Sequence, residues 1–194
     1  MPNKWNLKKE FILASQSPQR LSLLKNAGFT PIECISADIN EDILDNEKPK
    51  QYVARVAEQK ALYVAQKHPN ICIVSADTII VAGGKIIRKA ADENIARQNL
   101  DLLSDKKHFV LTGFTIITPN NKIITKVIST TVYMKKITKE EKDALLLSKE
   151  WENVAAYRIE GMLSTFVKSI KGSYPNIVGL PVYEVGDILK EYLK

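Results

Sequence analysis

Cysteine and long hydrophobic runs are both scarce in this chain of 194 residues, which has only Cys34 and Cys72. Their spacing matches no metal site. The two thiols could pair, but we expect free, buried cysteines in a reducing cytoplasm. No apolar run approaches the roughly 18 residues of a membrane span, and the N-terminal residues lack the apolar core of a secretory signal. We therefore expect a cytoplasmic protein with no membrane partner.

Glycine-rich phosphate loops and histidines are scarce as well. Neither G-x-x-x-x-G-K-S/T nor G-x-G-x-x-G occurs. The only histidines are His68, near a predicted helix end, and His108, at a strand start, so no Ser-His-Asp site can be built. The net charge of +6 suits an anionic ligand, either a nucleotide or a nucleic acid. Because no basic run carries stacking aromatic residues, we expect no nucleic-acid partner.

Apolar and polar residues alternate with the periods of both strands and helices along the chain. Strands are predicted over residues 10–15, 29–36, 71–76, 108–118 and 122–134. Helices are predicted over residues 18–27, 49–67, 92–103, from 138 onwards and over 181–193. Gly83 and Gly84, and later residues 119–121, indicate two hairpins, and residues 157–170 are expected to form paired strands. The fold class is therefore α/β, a mixed β-sheet flanked by helices with an antiparallel hairpin extension.

Residues 14–20, Ala-Ser-Gln-Ser-Pro-Gln-Arg, connect the first predicted strand to the first predicted helix. Ser17 is suited to the N-cap and Pro18 to the first helical position, so helix capping alone would explain both residues. The same helix end also offers an anion free N–H groups and a positive dipole end. Ser15 and Arg20 would add a hydroxyl and a guanidinium for phosphate oxygens.

Four charged residues are candidates for the chemistry of such a site. Lys60 lies on the apolar stripe of the second helix, where its side chain either reaches past the stripe to water or points into a cleft that holds an anion. Asp77 follows the strand 71–76 and either starts a turn or lies at the carboxyl end of that strand, where α/β proteins bind ligands. Glu41, in an acidic loop, is either solvated or a second carboxylate of the site. Lys89 either neutralises phosphate or lies on the surface.

Six stretches, taken in order, resemble motifs of the Maf family of septum-formation-like nucleoside triphosphate pyrophosphatases. LASQSPQRLSLL resembles L-A-S-x-S-P-R-R-x-x-L-L, RVAEQKA resembles R-x-A-x-x-K-A, and SADTIIV resembles the A-D-T block. Three later stretches are similar to later motifs of the family: KKHFVLTG, EWENVAAYRIEG and KGSYPNIVGLPVYEV. The resemblance runs from Phe11 to Leu193. It implies a single domain over residues 1–194, with a two-lobed, Maf- and ITPase-like architecture around a central nucleotide cleft.

This resemblance implies cleavage of a nucleoside triphosphate to monophosphate and pyrophosphate with Mg²⁺ or Mn²⁺, by a homodimer that removes modified or surplus triphosphates. It implies that Asp77 is the base for the attacking water. Asp77 and Glu41 would hold the metal, orient the water, or both. Lys60 and Lys89 would be the cationic catalytic residues of the cleft. The substrate-binding positions implied by the motifs are Ser15, Ser17, Gln19, Arg20, Thr78 and Glu160.

The chain departs from the family motifs at positions that affect substrate choice. Glu160 replaces a glutamine, and because a carboxylate only accepts hydrogen bonds, it favours a base that presents donors, such as guanine, or it pairs with Arg158. Thr78 matches the pyrimidine-type A-D-T block instead. Gln19 and Asn153 replace an arginine and a lysine. Their loss of charge supports an alternative function, a division regulator that binds a nucleotide or a protein with weak or no turnover.

Overall fold

The computed structural model describes residue 5, residues 7–152, residue 154 and residues 157–193. The chain forms two compact units. The first comprises Met1–Thr78, Thr112–Ile128 and Gly179–Lys194, and the second comprises Ile79–Leu111 and Ser129–Val178. No helix in the described part of the chain is both long and apolar enough to span a bilayer.

Strands and helices alternate along the described residues as expected for an α/β protein. In chain order they are β1 (Phe11–Leu13), α1 (Pro18–Asn26), β2 (Glu33–Cys34), α2 (Pro49–Ala65), β3 (Cys72–Ala82), β4 (Lys85–Ile87), α3 (Glu93–Leu103), β5 (Lys107–Ile117), β6 (Ile123–Met134), α4 (Lys139–Leu147), a 3₁₀ helix (Met162–Phe166), β7 (Val167–Lys171), α5 (Tyr174–Val178) and α6 (Val182–Tyr192). The strand order is β2-β1-β3-β5-β6-β7, with β4 paired to β3. β1 runs parallel to β2 and β3, whereas β3/β4 and β6/β7 are antiparallel. The predicted fold class, a mixed sheet with helices and antiparallel hairpins, is confirmed.

Capping side chains fix where several of the helices begin. Ser17 accepts a hydrogen bond from the backbone N–H of Arg20 at the start of α1. Asp92 accepts one from Ile95 at the start of α3, at 2.9 Å. Thr138 and the third residue of α4 bond reciprocally, as the sequence predicted. These side chains satisfy N–H groups that have no partner inside the helix.

β1 and the start of β3 are buried on both faces, which explains why their sequences are apolar at consecutive positions. Phe11 and Val74 pack in a core that also contains side chains of α1 and α6. The intervening residues Ile12 and Ile73 pack against α2 in a second core. Within this unit, α2 therefore covers one face of the strands, and α1 and α6 cover the other.

Gly113 lies inside β5 and allows α2 to approach it closely. A side chain at this position would place a Cβ 2.2 Å from the carbonyl oxygen of Val53 in α2. Two backbones approach this closely only where a Cβ is missing. Gly113 therefore determines how near α2, which carries Lys60, lies to the strands of the first unit.

Three sequence predictions differ from the structure in their details. The strand predicted to end before Asp77 continues to Ala82, because the apolar residues after Asp77 pair with β4 in the hairpin. The strand predicted over 29–36 contains only Glu33–Cys34, the residues that pair with β1. Of the paired strands predicted over 157–170, residues 167–170 do lie in β7, which pairs with β6, but the earlier residues form no strand. A 3₁₀ helix precedes β7 there, because its apolar side chains turn into the core of the second unit.

Both cysteines are free thiols. Cys72 is buried as predicted, whereas Cys34 is only partly buried. Burial raises the pKa of Cys72 to about 12, so this thiol is unreactive at neutral pH.

The second unit encloses a separate apolar core that contains side chains of β3, β5, β6, α3 and α4. His108 is fully buried there, with its Nε2 2.6 Å from the hydroxyl of Tyr157. The side-chain amide of Asn176 donates to the carbonyl of Val110 and to Thr130 Oγ1, both at 3.1 Å. The buried polar groups of this unit thus connect its elements to one another.

Candidate active site

Successive side chains of β3 point to opposite faces of the strand, so Asp77 and Thr78 lie on opposite sides of it. Ser75 is fully buried and donates a 2.6 Å hydrogen bond to the carbonyl of Ala57 in α2. Asp77 is two residues further along, so it lies on the same face and also meets α2. Thr78 points the other way, where it meets Arg20 of α1. One strand therefore presents a carboxylate on one side and a hydroxyl on the other.

Lys60 is an ammonium shared by two carboxylates. Its Nζ lies 3.1 Å from Asp77 Oδ1 and 3.0 Å from Glu41 Oε2. The Lys60 and Asp77 side chains are only 13% and 11% exposed, whereas the Glu41 side chain is 46% exposed. Of the two sequence alternatives for Lys60, the structure thus shows a cation that faces carboxylates rather than one that reaches past the apolar stripe to water.

Asp77 has one oxygen paired and one without a partner. While Oδ1 accepts from Lys60, Oδ2 is buried and makes no hydrogen bond to any residue that the structure describes. Burying a carboxylate oxygen without a partner is costly, so native proteins keep such atoms mainly where something else binds them. Asp77 lies inside β3 rather than at its end. Its Oδ2 is thus a buried acceptor that is available to a ligand.

Two carboxylates are available to a metal ion at this point. Glu41 and Asp77 both reach the same ammonium, and Asp77 Oδ2 is an unused oxygen ligand. The described residues contain no group of three or more His, Cys, Asp or Glu side chains that could hold a metal alone. This donor set fits Mg²⁺, which proteins commonly bind through one or two carboxylates together with substrate phosphates.

The stretch after β1 forms a small network of hydroxyl groups. Ser15 Oγ accepts from the backbone N–H of Ser17 at 3.2 Å and from Arg20 Nη1 at 3.1 Å. Ser17 Oγ caps α1 and donates to Gln19 Oε1 at 3.2 Å. Capping therefore accounts for Ser17, whereas Ser15 orients the arginine.

Arg20 is the cation of this network, and it is held on three sides. Besides Ser15, its Nε donates to the Gly179 carbonyl at 2.9 Å, and its Nη2 donates to Thr78 Oγ1 at 3.4 Å. An arginine has five N–H donors, so two remain for a ligand. Burial lowers the pKa of Arg20, and the negative charges of Asp77 and Glu41 oppose that shift. Arg20 stays charged at neutral pH, as arginine does in proteins generally.

Eight of the ten predicted site residues belong to the first unit, namely Ser15, Ser17, Gln19, Arg20, Glu41, Lys60, Asp77 and Thr78. Lys89 and Glu160 belong to the second unit, and both are exposed. The negative charge of Glu160 adds to the burial that raises the pKa of Tyr174. Glu160 does not pair with Arg158, although the sequence allowed that alternative. Asn153, the other departure from the motifs, lies outside the described residues.

Several contributors to the site were missed from the sequence. Thr112 Oγ1 lies 2.9 Å from Thr78 Oγ1, and the Gly179 carbonyl binds Arg20. The signal for both was the density of small polar residues in their motifs. The acidic loop that carries Glu41 is held by Tyr52, Arg55 and Glu47. Arg55 opens the motif RVAEQKA, but no local pattern indicated these contacts.

Sequence comparison shows the family to which this chain belongs. The chain belongs to the Maf-like protein family, whose model matches residues 10–192. It is 40% identical over 179 residues to a dTTP/UTP pyrophosphatase of Paramagnetospirillum magneticum, covering 92% of this chain and 94% of that protein. It is 41% identical over 182 residues to a nucleoside triphosphate pyrophosphatase of Ehrlichia canis, covering 93% and 95%. The family resemblance predicted from the motifs is thereby confirmed.

A comparison with solved structures also found matches. A HAM1 protein from Coxiella burnetii matches with a TM-score of 0.47 at 15% identity, over 94% of this chain and 99% of that one.

Proposed function

We propose that this protein hydrolyses nucleoside triphosphates between the α- and β-phosphates, releasing a nucleoside monophosphate and pyrophosphate. The observation that carries the proposal is the buried, partnerless Oδ2 of Asp77 beside the shared ammonium of Lys60. The names of the relatives support it, because proteins about 40% identical to this chain over nearly their whole length are called dTTP/UTP or nucleoside triphosphate pyrophosphatases.

The charges of the first unit suit a triphosphate. Lys60 supplies a cation on the α2 side of β3, and Arg20 supplies two free N–H donors on the α1 side. Phosphoryl transfer needs little covalent help from a protein. Its catalysis rests on positioning and on stabilising the charge that develops on phosphate oxygens. Preoriented cations provide both.

In this proposal Asp77 is the base. Its Oδ2 accepts a proton from the attacking water, whose oxygen bonds to the α-phosphorus as the bond from that phosphorus to the bridging oxygen breaks. Pyrophosphate leaves with the bridging oxygen, and Lys60 and Arg20 offset the negative charge. Lys60 also fixes the orientation of the Asp77 carboxylate through Oδ1, which keeps Oδ2 available.

We propose Asp77 and Glu41 as the residues that hold a Mg²⁺ or Mn²⁺ ion. A bound divalent ion would act as a Lewis acid that neutralises phosphate charge. Removing divalent ions with a chelator is expected to abolish activity, and adding Mg²⁺ or Mn²⁺ back should restore it. Full activity in the presence of the chelator would contradict this part of the proposal.

Base selection remains a prediction. Thr78 is bonded to Arg20 and Thr112 and accordingly has little freedom to contact a base. Glu160 is exposed and accepts hydrogen bonds only, which favours bases with donor edges. Lys89 stays a predicted phosphate-binding cation. A cytoplasmic homodimer without nucleic-acid partners also stays a prediction, and light scattering of the purified protein would test the dimer.

A substrate panel tests the proposal as a whole. The protein is incubated with canonical and modified nucleoside triphosphates and Mg²⁺ or Mn²⁺, and the products are separated by chromatography. We expect monophosphate and pyrophosphate in equal amounts. Diphosphate with inorganic phosphate would contradict the cleavage position. Tight nucleotide binding with no product from any triphosphate would contradict the enzymatic function and favour the division regulator.

A further inference from the structure

The loop over residues 37–48 carries Glu41, yet it contains neither a helix nor a strand that would hold it. Surface loops without such support are mobile, and a catalytic group on a mobile loop is poorly placed. The loop must therefore be fixed by side chains from elsewhere. Those side chains come from α2, the helix that follows the loop and also carries Lys60.

Two residues of α2 hold the backbone of this loop. The hydroxyl of Tyr52 donates to the carbonyl of Glu41 at 2.9 Å. Arg55 Nη2 donates to the carbonyl of Asp42 at 2.8 Å. The carboxylate of Glu41 is bound to Lys60 on the same helix. Glu41 is thus held by α2 through its main chain and its side chain alike.

Arg55 also holds the far end of the loop through Glu47. Its Nε and Nη2 donate to the two carboxylate oxygens of Glu47 at 2.6 and 2.8 Å, a bidentate pair. The Glu47 side chain is only 7% exposed. Its Oε2 also accepts from the backbone N–H of Leu44 at 3.1 Å. One arginine therefore joins two separate points of the loop to α2.

Arg55 has little capacity left for a ligand. A fourth hydrogen bond runs from Nη1 to Gln59 Oε1 at 3.1 Å, so only one of its five N–H donors is uncommitted. Arg20, by contrast, keeps two. Arg55 therefore uses its hydrogen bonds within the protein, and we do not expect it to bind phosphate.

We infer that Arg55 is a positioning residue, which holds the loop 37–48 against α2 so that Glu41 reaches Lys60, the ammonium that Asp77 also contacts. This inference rests on the proposed function, because it assigns Arg55 a contribution to the same site. Arg55 touches neither the substrate nor the reacting atoms. Its effect on catalysis passes entirely through Glu41.

The experiment compares Arg55→Gln, Glu47→Gln and the double variant with the wild type. Supporting partners of metal ligands typically contribute about 10- to 100-fold in activity or metal affinity. We expect Arg55→Gln to lower kcat within that range and to raise the Mg²⁺ concentration at half-maximal activity, with a smaller effect on KM. Because both residues act through one ion pair, the double variant should be no worse than Arg55→Gln. Hydrogen exchange of the amides of residues 37–48 should speed up while that of β3 stays slow.

Arg97→Gln is the matched control, because it removes an arginine that pairs with Asp143 at 2.7 Å on α4. It should leave kcat, Mg²⁺ dependence and loop exchange unchanged. Faster loop exchange in Arg55→Gln with unchanged kcat and Mg²⁺ dependence would overturn the inference, and so would unchanged loop exchange. Absence of pyrophosphate release by the wild type would instead overturn the proposed function, and that outcome is read separately from the exchange data.

Discussion

In the first unit, charged side chains from α2, β3 and the loop 37–48 meet within hydrogen-bonding distance at Lys60, Asp77 and Glu41. In the second unit, one buried polar pair is His108 and Tyr157, and both are neutral at pH 7 because burial shifts each pKa away from the charged form. Charges held in a partly buried cluster cost desolvation energy. A neutral pair costs less, although His108 Nδ1 is also buried without a hydrogen bond to any described residue. The contrast teaches that the first unit retains a costly charged arrangement with a carboxylate oxygen left for a ligand, and the second unit uses its buried polar groups for stability.

The largest effect on stability is expected from pH and His108. Folding lowers the pKa of this histidine from 6.5 to about 4, so between these values the unfolded chain binds a proton more readily than the folded chain. The stabilisation from keeping His108 neutral is fully present above pH 6.5. It is lost, by about 3 kcal/mol in the free energy of unfolding, as the pH falls through 4.

Denaturant unfolding of the wild type and of His108→Gln at pH 7 and at pH 4.5 measures this difference. Carboxylates also lose stability in this range, so the comparison between the two proteins isolates the histidine. The wild type should lose more stability than the variant. An equal loss in both would contradict the role of His108. If His108→Gln folds at pH 7 but has lost its activity, His108 would have a functional role, which would contradict the purely structural role assigned to the buried polar groups of the second unit.

A smaller effect is expected from Gly113→Ala in the first unit. The new methyl group would meet the Val53 carbonyl at 2.2 Å, and overpacking of this kind typically costs about 1–3 kcal/mol. Because α2 must move to relieve the contact, Lys60 would move with it, and activity should fall together with stability. Thermal unfolding and initial rates are measured in parallel.

Gly84→Asn provides the control for that substitution. Gly84 has open space around its Cβ position and a φ of +78°, a conformation that asparagine tolerates better than other residues. This variant should keep nearly wild-type stability and activity. If Gly113→Ala were equally harmless, α2 would not depend on the close contact at Gly113.

The smallest effect is expected from Gln19→Arg. Gln19 Oε1 accepts from the N-cap hydroxyl of Ser17 and adds no charge to the network around Arg20. A partly exposed arginine near a phosphate is worth up to about 1 kcal/mol, so KM for a triphosphate should fall by at most about fivefold. Steady-state kinetics at low salt measure the change. Unchanged KM and kcat would place residue 19 outside the site.

Local patterns made much of the fold predictable. The N-cap at Ser17, the hairpin at Gly83 and Gly84, and the long α2 could all be predicted because short-range propensities determine them. The prediction that the strand ends before Asp77 was wrong for a physical reason. A charged residue after an apolar run usually starts a turn, but here Lys60 compensates its charge inside the strand, and only the tertiary structure provides that partner.

The candidate site was predictable as a set of residues but not as an arrangement. The motifs indicated Arg20, Lys60 and Asp77 without showing that Lys60 joins two carboxylates. The pairing of Glu47 with Arg55 was not predictable either, since the sequence left open whether the acidic loop is solvated or supplies a carboxylate to the site. That pairing requires the loop to fold back on α2, and no local propensity specifies the conformation of a loop of this length.

The measurement that tests the central claim most directly is pyrophosphate release by Asp77→Asn. The substitution keeps the shape of the side chain and removes the basic oxygen, so the folded structure and the thermal unfolding temperature should persist. We expect the rate with Mg²⁺ and the best triphosphate to fall by roughly 10²- to 10⁴-fold. Asp187→Asn, which removes a surface partner of Lys190, should retain the wild-type rate. A rate for Asp77→Asn equal to that of the wild type would contradict the account.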